Sequence, residues 1–244
     1  MPIDPQSQIA EIATAHPATI RVFQHHGIDF CCGGKRPLAQ ACAERGLSST
    51  AVVADLESSL LEPSPSDRDW TAAPLTELIE HIEMRYHDKL RDELPRLAQM
   101  ADKVLRVHGD RHPAMIPPLA TTLAEMSIEI ASHLHDEEAV LFPVVRALDR
   151  DGRLPDRAAA VAASVQLARA VDGMEREHAA VGGALVRLRA LSHDFTPPAD
   201  ACNTFRGLFF GLETLERELH EHIHLENNIL FPRARRVATE ANAS

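Results

Sequence analysis

From Pro74 to about residue 237 the apolar residues return every three or four positions in four long stretches, at about 74–106, 115–148, 157–191 and 199–237. That period gathers side chains onto one face of an α-helix. Pro74 suits a first helical turn, where its missing N–H is not needed. The connecting HGDRHP, DRDGRLP and SHDFTPP are short and rich in proline or glycine, which favours antiparallel neighbours. Ahead of them, residues 1–60 hold two or three short helical patterns around the turn GIDFCCGGKRP, followed by a proline and serine break at 62–67. The pattern predicts an all-α chain. A small N-terminal helical domain over 1–62 and a linker over 63–73 lead into an antiparallel up-and-down four-helix bundle over 74–240.

The apolar stripes are interrupted in a regular way. The second long helix reads Leu119, Leu123, Met126, Ile130, His133, Glu137, Val140, Val144, and the fourth reads Leu208, Leu212, Leu215, Leu219, His222, Glu226, Ile229. The third reads Val171, Met174, His178, Val181, Leu185, Leu188, and the first reads Ile79, Ile82, Tyr86 or His87, Leu90, Leu94, Leu97. Each helix therefore places a histidine on its buried face near mid-length, and two add a carboxylate one turn later. A hydrocarbon core does not hold bare carboxylates and imidazoles without partners. The motif His-x-x-x-Glu-x-x-x-Leu-Phe-Pro occurs twice, from His133 and from His222, and each copy follows a lone histidine, His87 or His178. This is the mark of a duplicated helix pair.

Composition narrows the chemistry. Hydrophobic residues make up 45% and aromatics 4% of 244 residues, a balance that favours helix over sheet. The net charge of −11 argues against a nucleic-acid groove, which needs clustered Lys and Arg. No run approaches the roughly 20 apolar residues of a membrane span, and the N-terminus lacks the basic and apolar regions of a signal peptide. Four cysteines without a regular framework suit a reducing compartment. The expectation is a soluble cytoplasmic protein that engages neither membrane nor nucleic acid. Its inward donors are four imidazoles and two carboxylates with no thiolate. Two metal ions can share them, each taking two histidines, with Glu137 and Glu226 bridging. Iron, manganese and zinc all accept such donors. Non-haem di-iron is the preferred expectation and zinc the main competitor, with room left for an oxo bridge and small exogenous molecules.

Of the 14 histidines, His135 and His224 lie two residues from a chosen ligand, about 200° around the helix, and are expected to face outward. His220 is expected on a solvated surface, and His81, His108, His112 and His193 near turns or polar faces. Pro143 and Pro232 are expected to kink or end their helices.

These residues resemble the hemerythrin-like superfamily, and more closely the RIC family of di-iron iron-sulfur cluster repair proteins (the YtfE/ScdA type). The resemblance spans nearly the whole chain and is carried by FCCGGK at 30–35, RYHD at 85–88, EREH at 175–178 and HIHLENNILFP at 222–232. It implies His87, His133, Glu137, His178, His222 and Glu226 as iron ligands, the same six that helix phase selects. Oxygen-carrying hemerythrins have a second histidine one turn from the third-helix ligand, where this chain has Met174 and Gly182. Their last carboxylate lies five residues after the histidine, where this chain has Asn227. The resemblance implies repair of iron-sulfur clusters damaged by nitric oxide or oxidants, by supply of iron to damaged iron-sulfur proteins. A nitric oxide or peroxide reductase at the same site, or a gas or redox sensor read out by the N-terminal domain, remain as alternatives, with nitric oxide as ligand in either case. Glu129 and Glu177 are expected as buried acids beside the site, lining an iron exit path.

The adjacent Cys31 and Cys32 can form only a strained, easily reduced disulfide, and Gly33-Gly34 frees the backbone to bring both thiols to a partner. A redox switch, a thiolate pair that passes iron, and packing beside Phe30 are the competing uses. Exposed, the pair can also support a homodimer of an otherwise monomeric chain. Cys42 and Cys202 are expected as small buried hydrophobes.

Overall fold

The computed structural model describes residues 3–61, 68–151 and 157–243. Four short helices come first, α1 (Ile9–Ala15), α2 (Ile20–His25), α3 (Leu38–Glu44) and α4 (Ser49–Ser59). Four long ones follow: α5 (75–108), α6 (116–151), α7 (Arg157–Leu191) and α8 (203–243). The predicted break at 62–67 and the GRLP part of the second connection lie outside the described residues. Where two or three short patterns were expected near the N-terminus, four helices form around a core of Ile9, Phe23, Phe30, Leu38 and Leu56. Among the described residues no helix is long and apolar enough to cross a membrane.

The long helices close a ring of contacts: α5 packs on α6 and α8, and α7 packs on α6 and α8. Two apolar clusters fill the interior. One includes Leu90, Leu123, Leu185, Phe205 and Leu212, and the other includes Leu78, Phe142, Val171, Leu230 and Phe231. The polar residues of the interrupted stripes separate them. Close approach sets one contact. A Cβ on Gly211 of α8 would stand 2.5 Å from Leu97 Cδ2 and 3.2 Å from Arg96 Nη2, so glycine lets α5 and α8 meet there.

Three of the long helices are not α-helical throughout. They widen into π turns at Glu83–His87, Glu137–Leu141 and Glu226–Leu230. In each, a backbone N–H reaches five residues back, from Asp88 to Glu83, from Phe142 to Glu137 and from Phe231 to Glu226. One extra residue in a turn rotates everything after it by about 100° relative to a straight helix. The alternative left open in α5 is thereby resolved: Tyr86 and His87 both face inward. In α6 the shift turns Val140 out to 45% exposure and gives its place to Leu141, against the expected stripe. It also corrects the expectation for the prolines, because α6 continues to Asp151 and α8 to Ala243 beyond Pro143 and Pro232. A proline ring strikes the carbonyl four residues back in a regular helix. Directly after a π turn that carbonyl is displaced, so the ring fits.

The N-terminal helices lie against the bundle beside the polar layer. Asn228 Nδ2 of α8 donates to the Phe30 carbonyl at 3.3 Å and Gln24 donates to Glu221 at 2.8 Å. The Phe30 ring meets His224 edge-on at 5.5 Å. His224, expected to face outward, is 1% exposed, because its outer side is covered by this contact rather than by solvent. Burial pushes its imidazole down to about 4. His220 is half-buried under the same cover, whereas His135 is exposed as expected.

Gly211→Val is expected to lower unfolding free energy by about 1–3 kcal/mol through overpacking against Leu97, read as a shift in denaturation midpoint at unchanged slope.

Candidate metal centre

The helix phases bring His87 from α5, His133 and Glu137 from α6, His178 from α7, and His222 and Glu226 from α8 into the layer between the two apolar clusters, and all six are buried. They form two groups that share both carboxylates. His87, Glu137, His222 and Glu226 present donor atoms within 4.8 Å of one another, as do His133, Glu137, His178 and Glu226. Glu137 sets Oε2 3.4 Å from His87 Nε2 and Oε1 3.4 Å from His133 Nε2. Glu226 sets Oε1 3.0 Å from His222 Nε2 and Oε2 3.2 Å from His178 Nε2. Each carboxylate thus spans the groups with one oxygen toward each. The paired imidazoles converge as well, with Nε2 atoms 3.1 Å apart for His87 and His222 and 2.9 Å apart for His133 and His178.

The outer nitrogens explain why the inner ones converge. His87 Nδ1 lies 2.8 Å from Glu138 Oε1, which Arg91 holds in turn at 2.5 Å. His133 Nδ1 lies 2.6 Å from Glu177 Oε2, and His178 Nδ1 lies 2.8 Å from Asn227 Oδ1. These acceptors place the proton on Nδ1 and leave the Nε2 lone pair for a cation. His222 lacks such a partner at Nδ1 and is held by its ring, stacked on Tyr86 at 5.4 Å and 9°. Sequence reasoning missed Glu138 and Tyr86 in these roles and read Asn227 only as a departure from hemerythrins. The available signal was adjacency, since Tyr86, Glu138, Glu177 and Asn227 each sit next to one of the six.

The residues fit a pair of cations. Both oxygens of Glu137 and Oε2 of Glu226 are buried with no hydrogen-bond partner in the protein. An unpaired buried carboxylate is strongly unfavourable, and a cation between two imidazoles and two such oxygens would satisfy it. Protons are the substitute without metal. Burial pulls the His133 imidazole down, but Glu137 beside it, with Glu226 and Glu177, carries it up to about 10. His178 is likewise raised, burial being outweighed by Glu226. Burial and the neighbouring His222 hold His87 below its ordinary value, against the pull of both glutamates. Glu226 stays well below the carboxylate range despite its burial, because His222 and His178 face it.

The remaining expected site residues fall around this layer. Glu129 and Glu177 are not buried acids: Glu129 is exposed and the Glu177 side chain is 50% exposed. They project from the outer flanks of α6 and α7 into a surface pocket of about 370 Å³ that also exposes an edge of His133. The expected exposed cysteine pair is instead folded inward. Asp29 accepts the backbone N–H groups of Cys31 and Cys32 at 3.0 Å and of Gly33 at 2.9 Å. Cys31 is buried, and the half-buried Cys32 places Sγ 3.5 Å from the backbone oxygen of His178. Glycine is needed at position 34, where a Cβ would lie 2.6 Å from the Phe30 carbonyl oxygen and 2.7 Å from Ala10 Cβ. Both thiols are free, as are Cys42, buried as expected, and Cys202. Cys202 is exposed, contrary to expectation, because it occupies the N-cap of α8. His108 ends α5 beside the turn, as expected, but is buried there, its Nδ1 3.2 Å from Arg111, which also lies 3.5 Å from Asp200.

Two comparisons bear on this arrangement. Residues 5–60 match ScdA_N, a domain of unknown function, and residues 78–234 match the hemerythrin HHE cation binding domain. The chain is 41% identical over 229 residues to iron-sulfur cluster repair protein YtfE of Yersinia pseudotuberculosis serotype O:1b (strain IP 31758), covering 93% of this chain and 96% of that protein. It is 40% identical over 231 residues to the protein of the same name in Musicola paradisiaca (strain Ech703), covering 95% of this chain and 97% of that one.

Because the carboxylates are shared, Glu137→Gln is expected to weaken binding of both metal ions, whereas Asn227→Ala should cost about 10- to 100-fold in affinity while retaining both. Metal analysis after dialysis against graded chelator separates the two outcomes. Metal uptake should also release protons. With His133 protonated up to about pH 10, apparent affinity should rise about tenfold per pH unit for each proton displaced between pH 6 and 8. The same raised value stabilises the metal-free fold fully below about pH 6.5, an effect lost as pH rises through about 10. Titration with a pH indicator in weak buffer measures the release.

Proposed function

The chain belongs to the YtfE-type iron-sulfur cluster repair proteins, pairing an ScdA_N domain with a hemerythrin HHE cation binding domain, and from that premise we propose that it restores clusters damaged by nitrosative or oxidative stress by giving up iron. The observation that carries this reading is the pair of buried groups sharing Glu137 and Glu226. His87, Glu137, His222 and Glu226 would hold one iron ion, and His133, Glu137, His178 and Glu226 the other. Iron held there would supply a labile cargo and could take a small ligand such as nitric oxide. The protein's own residues do the rest. Glu138, Glu177 and Asn227 fix the imidazole tautomers, while the rings of Tyr86, Phe142 and Phe231 against His222, His87 and His178 keep the layer dry.

Release is favoured on one side. Of the four imidazoles, His133 is the one whose edge lines the acidic surface pocket, and Glu177 both orients that ring and stands at the pocket mouth. Glu129 and Glu177 form the exit path in this reading, handing iron from the buried layer to a damaged iron-sulfur protein in the cytoplasm. Oxygen ligands suit this better than a thiolate cage, because they exchange hard cations readily. Cys31 and Cys32 act beside the α7 ligand as the redox element, 3.8 Å apart at their sulfurs.

A second reading has one observation in its favour. Each ion would draw two imidazole nitrogens and two carboxylate oxygens, few enough donors to leave room for substrate, as an oxidoreductase acting on nitric oxide or peroxide requires.

Iron-loaded protein is expected to restore a nitrosylated cluster enzyme with loss of its own iron in proportion. Glu129→Gln, which leaves the Glu177 contact to His133 in place, should slow iron release to a ferrous chelator about tenfold, the lower end of what charge lining a cleft does to ion rates, and leave two irons bound at the start. Sustained nitric oxide consumption with an added reductant and no iron loss would instead establish the oxidoreductase.

A further inference from the structure

Between the N-terminal helices and the bundle lies a cavity of about 510 Å³, separate from the acidic pocket beside His133. Cys32 forms part of one wall, and the facing wall is the consecutive pair Gly182 and Gly183 of α7. A Cβ on Gly182 would touch Cys32 Sγ at 3.4 Å, and a Cβ on Gly183 would meet nothing within 4 Å. Two adjacent glycines inside a long helix weaken it, and at Gly183 no packing demands one. Their effect is to keep the space in front of the sulfur open.

The charges around this space are unevenly committed. Asp29 is occupied by three backbone N–H groups of the Cys31–Gly33 turn, and Glu216 by Arg189 at 3.0 and 3.1 Å. Arg45, Arg217 and Glu213 also line the cavity. Among the described residues none of these three has an ion pair or a side-chain hydrogen bond. Two guanidinium groups and one carboxylate, grouped around a half-buried thiol, complement a ligand with two carboxylates, one ammonium group and a sulfur.

We propose that this seam binds a low-molecular-weight peptide thiol of the glutathione class, and that its disulfide thiolates Cys32. The step balances: the Cys32 sulfur bonds to one sulfur of the ligand disulfide, the disulfide bond breaks, and the departing thiol takes the proton that Cys32 gives up. Cys32 rather than Cys31 reacts, because Cys31 is 4% exposed and its thiol is turned to Asp29 at 3.3 Å. The volume lies within the range of pockets that enclose small ligands. The inference deepens the reading of the cysteine pair as the redox element and rests on it. It assigns that element a partner, the cellular thiol pool, and places the resulting modification against the backbone of a metal-layer histidine.

The test uses the full chain with Cys202→Ser, which removes the exposed thiol. Incubation with oxidised glutathione, followed by intact-mass measurement and peptide mapping, should show one glutathionyl group per chain, on Cys32. Arg45→Ala with Arg217→Ala should slow that reaction about tenfold, as expected from losing two exposed ion pairs, and leave the reaction with neutral hydroxyethyl disulfide unchanged. Equal slowing with both disulfides, no slowing with either, or an adduct elsewhere would overturn the proposal. Cluster restoration measured on the unmodified protein fails or succeeds independently of the adduct, so failure of the repair reading is distinguishable from failure of this one.

Discussion

Two buried carboxylates, three of whose four oxygens have no hydrogen-bond partner in the protein, are the constraint on which the rest of this molecule depends. Glu137 and Glu226 are both fully buried, between an apolar cluster on one side and another on the other. Hydrophobic packing does not compensate them and the His222 contact to Glu226 Oε1 satisfies one oxygen of the four, so the layer requires positive charge. His133 and His178 can supply it as protons, and the four imidazoles together can direct it as metal. The bundle is large enough to fold around this layer. It can therefore hold a cation group as something gained and lost, unlike a small domain whose fold depends on its metal.

The π turns show how the helices meet that requirement. A regular helix can aim residues four apart at one point, but it cannot also place neighbours in sequence on the same inner face. The wide turn at Glu83–His87 does this for Tyr86 and His87, so one residue stacks on an imidazole of α8 while the next contributes its own. The turns beginning at Glu137 and Glu226 start on the carboxylates themselves. Each shared glutamate is thus set at the point where its helix changes phase, with proline following where the turn has already displaced the conflicting carbonyl. Such turns are uncommon in general and concentrate at functional sites.

The two parts of the chain are joined at the same level. His224, on the side of α8 opposite the layer, is roofed by Phe30, and Cys32 reaches the backbone of His178. Asn227 illustrates how a departure from oxygen-carrying hemerythrins becomes a different use of the position: it orients the α7 imidazole instead of contributing a carboxylate. The carboxylate itself stands one residue earlier, at Glu226, and the ring that Asn227 holds lies under the N-terminal unit. Cover and ligand orientation are therefore coupled through one turn of α8.

Much of this was legible along the chain. Helix phase is a local property that accumulates at 3.6 residues per turn, so the apolar stripes of α5 to α8 sufficed to predict four helices and to place six polar residues on inward faces. The His-x-x-x-Glu step carried its own geometry, because residues four apart share a face wherever the helix goes. Phase also failed in specific places. It sent His224 outward, since no stripe within α8 records that another unit covers its back, and it kept Val140 inward, since a π turn inserts a residue that no local pattern announces. Glu129 and Glu177 were assigned to the right neighbourhood but to the interior rather than its mouth. By itself, then, the sequence determined the all-α architecture, the donor set and its nitrogen and oxygen chemistry. The tertiary structure alone decided how each carboxylate divides its oxygens, which residues hold the imidazoles, and what faces Cys32. The division has a physical basis: the first set depends on contacts within one helix, and the second on pairs 44 to 198 residues apart that no helical period can encode.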